Sequence, residues 1–313
     1  MSGKKQSSAS PQSAKKKAKA VSMWGLAWQR FKRNKVALAG LFVIGYIFFM
    51  AIFADFIAPY KPNDVIDILI SGQNGKGPTW AHPFGTTLGG QDVFSVIVYG
   101  ARSALLIGFG AAAIAIGVGV LIGIVSAYYG GWVDELLMRF TEIFLVMPFL
   151  LIIMVLMNVF NKLFPSGVPV IGGIGLIILV IGLFSWPGNA RLIRGEVLRV
   201  RESEFIAASK CLGASGRRIL FRHILPNVLY IVLVLTTLQI AGAILTEAAL
   251  SFLGFGDPNS TTWGQLLTGA TDDLTRGIWW TTAFPGLFLT LLVLGFNLLG
   301  NGLRDALDPR LRE

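Results

Sequence analysis

Charged residues are scarce in this chain: of its 313 residues 14% are charged, whereas 54% are hydrophobic. Soluble domains carry about a quarter charged residues. The shortage of charge therefore excludes an ordinary soluble domain and predicts an all-α polytopic membrane protein. The net charge of +10 does not indicate nucleic-acid binding, because the basic residues form blocks before and between apolar segments, the pattern that orients a protein in a bilayer.

Cysteine and histidine are almost missing. The single cysteine, Cys211, excludes an internal disulfide. The two histidines, His82 and His223, lie far apart and are too few for a histidine-based metal site. Residues 1–22 are rich in Lys, Ser and Ala and contain no apolar segment, so we expect a disordered basic cytoplasmic tail and no secretory signal peptide.

Motifs for catalysis are also scarce. Residues Gly254 to Asp257 match the Gly-x-Gly-Asp string of intramembrane aspartyl proteases. That chemistry requires a second membrane-embedded aspartate, and none of the predicted spans contains one. The spacing between Gly72 and Thr79 does not fit a phosphate-binding loop. The sequence therefore predicts no enzyme activity, no catalytic residues and no metal or cofactor site in this chain.

Long apolar runs predict six transmembrane helices. A helix needs about 20 apolar residues to cross a bilayer, and uncharged runs of that order cover residues 36–54, 103–133, 143–161, 163–190, 224–246 and 277–303. The fourth run opens with a Pro- and Gly-rich turn, so its helix is expected to begin near Ile171. With both termini on one side, that side holds 22 of the 27 Lys and Arg residues and the other side holds 5. This bias predicts that both termini are cytoplasmic.

Local patterns add detail to this topology. Residues 24–35 are aromatic on one side and basic on the other, which is typical of an interfacial helix. Residues 60–90 are predicted to form an irregular outer loop, and residues 91–100 an amphipathic segment along the outer surface. Gly119 and Gly123 form a small-xxx-small pair. Such a pair indicates close helix packing, either at the centre of the bundle or at a subunit interface.

The basic segment between the fourth and fifth spans is the most distinctive part of the chain. Residues 191–201 are predicted to extend span four inward, residues 205–212 to form a short helix, and Gly213 to end that helix. A basic helix over residues 215–224 follows, and Pro226 is expected in the first turn of span five. A short helix between two turns can be gripped by another protein; a solvated hairpin is the alternative.

This segment resembles the signature loop of binding-protein-dependent ABC importer permeases. Ala207, Ala208 and Ser209 occupy its Glu-Ala-Ala positions, so that alanine replaces the usual glutamate. Gly213 is its glycine and Pro226 ends its Ile/Leu-Pro close. Further motifs resemble, in order, the C-type permease of dipeptide and oligopeptide systems; they begin at residues 31, 57, 82, 99, 129, 250, 263, 279, 284 and 296.

The resemblance implies a type I ABC importer permease fold with six transmembrane helices, in the plasma membrane of a prokaryote. It divides the chain after the tail into an interfacial helix, first span and external loop (23–101), a five-helix core (102–303) with a coupling loop (191–223), and a cytoplasmic tail (304–313). The implied partners are the lipid bilayer, a second homologous permease, two ATPases that bind ATP and Mg²⁺, and an external substrate-binding protein.

The implied function is to form half of a translocation pathway for di- or oligopeptides. Nickel and glutathione permeases of the same family are the alternative, and a passive channel or scaffold without ATP coupling is the alternative of another class.

Beside the motif residues, the coupling-loop hypothesis names Glu204, Arg217 and Arg218; solvated or lipid-facing arginines are the competing interpretation of the last two. The pathway hypothesis names Glu247 and Asn297. For Glu247 we weigh contact with the cationic amino end of a peptide against an interhelical hydrogen bond.

Overall fold

The computed structural model describes residues 23–61, 72–163 and 172–307, and these three segments form helices and connecting loops without a β-strand. The predicted tail 1–22 lies outside the described residues. In chain order the helices are α1 Met23–Arg33, α2 Lys35–Ile52, α3 Ala54–Ile57, α4 Val93–Tyr129, α5 Gly131–Val146, α6 Phe149–Leu163, α7 Gly172–Arg201, α8 Glu204–Cys211, α9 Gly216–Phe252, α10 Trp263–Thr275 and α11 Trp280–Leu307.

Five of these helices are long and apolar enough to cross a membrane: α2, α4, α7, α9 and α11. Helices α5 and α6 together pass the same test but are bent by 80° relative to each other. The described helices therefore provide five spans, or six if this bent pair is one crossing. Helix α4 has 37 residues, a length of about 55 Å, so it extends well beyond a hydrocarbon layer of about 30 Å.

The prediction of one continuous helix over residues 143–161 is wrong, because this segment belongs to two helices. The chain breaks between α5 and α6 at Met147, which is extended at φ −71° and ψ 133°. Pro148 follows it, and the ring of a proline disfavours a helical conformation of the preceding residue. The run of uncharged residues correctly indicated an apolar segment, but the proline within it sets the bend.

The prediction of a separate surface segment over residues 91–100 is also wrong. These residues open α4, because Asp92 caps the helix by accepting a hydrogen bond from the Ser95 amide at 2.8 Å. The apolar side chains of this first turn, Val93 and Ile97 among them, are fully buried in the main core. The predicted boundary between residues 101 and 102 falls inside this helix.

Helices α4 and α7 pack closely against each other, and glycines make the approach possible. A Cβ added at Gly119 would lie 2.9 Å from the Asn189 Cβ, and one at Gly123 would lie 2.7 Å from the Ala190 carbonyl oxygen. The small-xxx-small pair therefore packs centrally within this chain. The first helix, α1, is followed at once by α2, whose first turn is capped by the side chain of Asn34.

Candidate coupling loop and translocation pathway

The short predicted helix is present as α8, and Gly213 ends it. Gly213 has a φ of +76°, a conformation in which L-residues with a side chain are strained. Its amide donates to the Lys210 carbonyl at 2.9 Å, and the Ala214 amide donates to the Ser209 carbonyl at 3.1 Å. This pair of bonds is a Schellman motif, so the turn after α8 is fixed by the backbone itself.

A single side chain anchors α8 to the bundle. Ile206 is fully buried in a cluster with Ala127 at the end of α4 and Ile219 in α9. Ala207 and Ala208 are exposed. A glutamate in place of Ala207 would therefore point away from the body of the subunit. The helix is held firmly on one side and is accessible on the other.

The accessible side of the loop is partly apolar. Leu212 is 89% exposed and Phe205 is 47% exposed, while Glu204, Arg217 and Arg218 are exposed around them. Exposed apolar side chains grouped with charges are typical of a protein interaction surface. For the coupling-loop hypothesis, we call these five residues the inner docking surface.

Pro226 lies in the first turn of the α-helix Leu225–Phe252, as predicted, and other helical residues precede this turn without a break. The helix already begins at Gly216, and its second part, Ile219–Ile224, is a π-helix. There the Leu225 amide donates to the Leu220 carbonyl, five residues back. Proline cannot donate to the carbonyl four residues before it and its ring crowds that group, and the π-helix lies directly before this position.

An ion pair ties α7 to the junction of α4 and α5. Arg194 donates to both carboxylate oxygens of Asp134, at 2.6 and 2.5 Å, and the Ser126 hydroxyl donates to the same carboxylate. At the end of α7, Arg201 donates to the Ala127 carbonyl at 2.6 Å. Because α8 follows directly after α7, these bonds connect the loop to two spans at once.

A second polar cluster ties α7 to α9. The Tyr230 hydroxyl donates to the Glu196 carboxylate at 2.5 Å, and Arg199 donates to the same carboxylate from the next turn of α7 at 3.0 Å. The helices on either side of the loop are therefore joined to each other above it.

The two predicted pathway residues lie on different helices. Glu247 is 2% exposed near the end of α9, where it accepts a hydrogen bond from the Ser251 hydroxyl at 2.7 Å and contacts the hydroxyl of Thr262, the residue that caps α10. Asn297 is half-buried in α11 and donates to the Val293 carbonyl of its own helix at 2.8 Å. Glu247 and Asn297 therefore have different hydrogen-bond partners.

In the described residues, no group of three or more His, Cys, Asp and Glu side chains is placed to hold a metal ion.

Comparison with known proteins identifies the family. Residues 119–313 match the binding-protein-dependent transport system inner membrane component, and residues 22–74 match the N-terminal transmembrane domain of oligopeptide transport permease C. The chain belongs to this permease family. The match confirms the predicted family and the helical membrane fold.

Relatives of this permease cover nearly its whole length. It is 38% identical to the dipeptide transport system permease protein DppC of Bacillus subtilis, over 92% of this chain and 86% of the relative. It is 38% identical to the oligopeptide transport system permease protein OppC of the same organism, over 94% and 92%. For the OppC protein of Haemophilus influenzae the identity is 37%, over 92% and 89%.

Sequence reasoning missed a buried polar cluster at the start of α4. His82 Nδ1 lies 2.9 Å from an Asp92 carboxylate oxygen, and the other oxygen of Asp92 accepts from the Ser95 hydroxyl at 2.6 Å. The Tyr60 ring stacks on His82. His82 enters the sequence-based prediction only as a candidate metal ligand and as the start of a family motif. The cap at Asp92 was the local signal that could have located the start of α4.

A second missed pair joins α3 to α4. Arg102 donates to Asp55 at 2.8 Å and to the Ala51 carbonyl at 2.6 Å, and the Tyr99 hydroxyl donates to Asp55 at 2.9 Å. These hydrogen bonds, that of Arg102 first, hold the pKa of Asp55 below its usual value. Both side chains are largely exposed, so the pair stabilises the fold only slightly.

Proposed function

We propose that this permease is one membrane subunit of an ATP-driven importer of dipeptides or oligopeptides. It forms half of the translocation pathway beside a second homologous permease. An external binding protein delivers the peptide, and two partner ATPases bind ATP and Mg²⁺. The binding-protein-dependent family and the relatives named for dipeptide and oligopeptide transport support this assignment over nickel or glutathione.

The inner docking surface is the observation that carries the ATP-driven part of the proposal. Helix α8 has one buried anchor, Ile206, and presents Phe205 and Leu212 outward. We infer that an ATPase grips this surface and that Arg217 and Arg218 add electrostatic attraction to the contact. A solvated hairpin would have little reason to expose two large apolar side chains beside its charges.

The hydrogen bonds that join α7 to its neighbouring helices provide a route by which a movement of α8 is transmitted to the spans. Helix α7 carries α8 at its end, Arg194 ties α7 to Asp134 of α5, and Arg201 ties α7 to Ala127 of α4. Tyr230 ties α9 to α7. We infer that α4, α7 and α9 move together when the ATPases close, because packed helices shift as bodies rather than deform.

The proposed orientation places both termini and the coupling loop 191–223 in the cytoplasm. Its support is the distribution of Lys and Arg, 22 against 5, which follows the positive-inside rule. In this orientation the loop after α9 and helix α10 are outside, on the face that a binding protein reaches.

Reconstitution tests the proposal directly. The full importer in proteoliposomes, with ATP enclosed and binding protein outside, is expected to accumulate a radiolabelled dipeptide or tripeptide and to hydrolyse ATP faster when loaded binding protein is present. Uptake that ignores ATP would indicate a passive channel. Uptake of nickel or glutathione but of no peptide would transfer the assignment to another branch of the family.

A further inference from the structure

A cavity of about 780 Å³ lies between the end of α9, the loop at residues 253–262 and α10. This volume is within the range of about 300–1,000 Å³ that is typical of small-ligand pockets. With the proposed orientation the cavity opens on the outer side. Its described lining contains no charged side chain and is dominated by glycines, hydroxyls and amides, including Ser251, Asn259, Ser260, Thr261, Gln265 and Thr268.

The loop that walls the cavity is fixed by its own hydrogen bonds. Gly254, at a φ of +83°, ends α9, and the Phe255 amide donates to the Leu250 carbonyl at 2.8 Å. The Asp257 carbonyl then accepts from the Ser260 amide at 3.1 Å and from the side-chain amide of Gln265. The cavity is therefore preformed, which lowers the entropy cost of binding a ligand.

Three hydroxyl groups of the cavity, those of Ser251, Ser260 and Thr268, have already used their hydrogens. Ser251 donates to the Glu247 carboxyl at 2.7 Å, Ser260 to the Asp257 carbonyl at 2.9 Å, and Thr268 to the Ser251 carbonyl at 2.8 Å. A hydroxyl has one hydrogen to donate and two lone pairs to accept with. These three groups can therefore offer only acceptors to a ligand, and a ligand that suits them brings N–H or O–H donors.

We propose that this cavity binds the amino-terminal end of a short peptide. The ammonium group and the first main-chain N–H donate to the acceptors of the cavity, and hydrogen bonds from a charged donor are the stronger kind. Glu247 is a positioning residue here: it takes the hydrogen of Ser251 and so turns that hydroxyl into an acceptor. This inference rests on the proposed peptide import and adds the place of contact and the end of the peptide that is held.

A protection experiment tests the ligand chemistry without the binding protein. Thr261 lines the cavity, and its hydroxyl makes no hydrogen bond within the described part of the chain. In a chain that also carries Cys211→Ser, Thr261→Cys provides a single thiol at the cavity. Trialanine is expected to slow the reaction of this thiol with a maleimide in the purified importer. N-acetyl-trialanine, which lacks the ammonium group, should require about tenfold higher concentration.

Equal protection by the two peptides overturns the assignment of the amino-terminal end, and no protection by trialanine overturns the peptide site.

A filling experiment separates the cavity from the transport function. Gly269 lines the cavity within α10, and an added Cβ there meets no atom within 4 Å. Gly269→Phe should fill the cavity and lower uptake of trialanine about tenfold. Gly45→Phe is the matched control, since Gly45 is an exposed helical glycine of α2 with equally open space, and its uptake should match that of the unaltered importer.

Normal uptake by the Gly269→Phe importer overturns the cavity as a peptide site and leaves peptide import intact. If the unaltered importer takes up no peptide, the proposed function has failed instead.

Discussion

The segment after α8 and the segment after α9 both begin with a glycine of positive φ, Gly213 at +76° and Gly254 at +83°. In each, the glycine amide donates to the carbonyl three residues back, Lys210 in one and Ser251 in the other, both at 2.9 Å. The same kind of backbone turn therefore occurs at both places, because in each a helix ends and the chain turns sharply.

The side chains then make the two segments different. At α8 one buried residue, Ile206, holds a helix whose other face exposes Phe205 and Leu212. At the end of α9 and in the loop after it, Ser251 and Ser260 line a cavity. In the proposed function, the turn after α8 presents apolar side chains to an ATPase. The turn after α9 presents hydrogen-bond acceptors to a peptide.

The largest effect is expected at the inner turn. Gly213→Val forces a β-branched residue into a left-handed conformation that costs L-residues about 1–2 kcal/mol or more. The turn should shift, α8 should no longer fit its ATPase, and peptide uptake should fall about tenfold. Gly213→Asn is the matched control, because asparagine tolerates this conformation. Uptake and substrate-stimulated ATP hydrolysis by both purified importers are the measurements, and normal values for the valine variant would contradict the account.

A smaller loss is expected where the loop meets the spans. Arg194→Leu leaves the Asp134 carboxylate with the Ser126 hydroxyl but without its cation. A fully buried pair broken in this way costs about 3–5 kcal/mol. The side chains here are 31% and 18% exposed, so we expect about 1–2 kcal/mol. Thermal unfolding of the importer with and without Arg194→Leu measures this loss of stability.

Adding Asp134→Asn to Arg194→Leu supplies the control for that pair. Removing the stranded charge should restore part of the stability. Strict additivity of the two changes would show that the two side chains do not act as a pair.

The outer segment should respond to the loss of an acceptor more than to the loss of charge. Glu247→Gln keeps an oxygen that can accept from Ser251, whereas Glu247→Leu leaves that hydroxyl hydrogen free to enter the cavity. We expect uptake to fall about fivefold for leucine, the value of one hydrogen bond, and to change little for glutamine. Equal loss in both variants would favour a direct charge contact with the peptide. Normal uptake in both would exclude a role for this residue.

The smallest effect is expected at Asp55, away from both segments. Because Arg102 lowers the pKa of Asp55 in the folded state, the pair stabilises the fold at neutral pH, and this contribution disappears as the pH falls through the lowered pKa. The melting temperature of Asp55→Asn should be slightly below that of the unaltered protein at pH 7, and the two should converge on acidification. A difference in melting temperature that does not shrink on acidification would contradict the ion-pair explanation.

Local signals account for what the sequence predicted well. Helix α8 and its end at Gly213 follow from helix-forming residues bounded by a glycine, and the apolar lengths of α2, α4, α7, α9 and α11 are visible as runs. Glycines 119 and 123 correctly indicated a close approach, but only the structure shows that the partner is α7. The roles of the coupling and pathway residues stay predictions.

Contacts between distant residues account for most of what was missed. Asp134 and Arg194 are 60 residues apart, and Glu196 and Tyr230 are 34 apart, so no spacing rule joins them. The bend at Pro148 and the early start of α4 at Asp92 were local signals, a proline and a helix cap. The lengths of the uncharged runs, on which the predicted spans were based, reveal neither the bend nor the helix start.

The native Cys211 gives the most direct test of the claim that an ATPase binds at α8. This exposed thiol lies at the end of α8. A photoactivatable crosslinker attached to it in the intact importer should label an ATPase subunit, and an impermeant thiol reagent added to intact cells should not reach it. Labelling that never includes an ATPase, or reaction of Cys211 from outside the cell, would contradict the account.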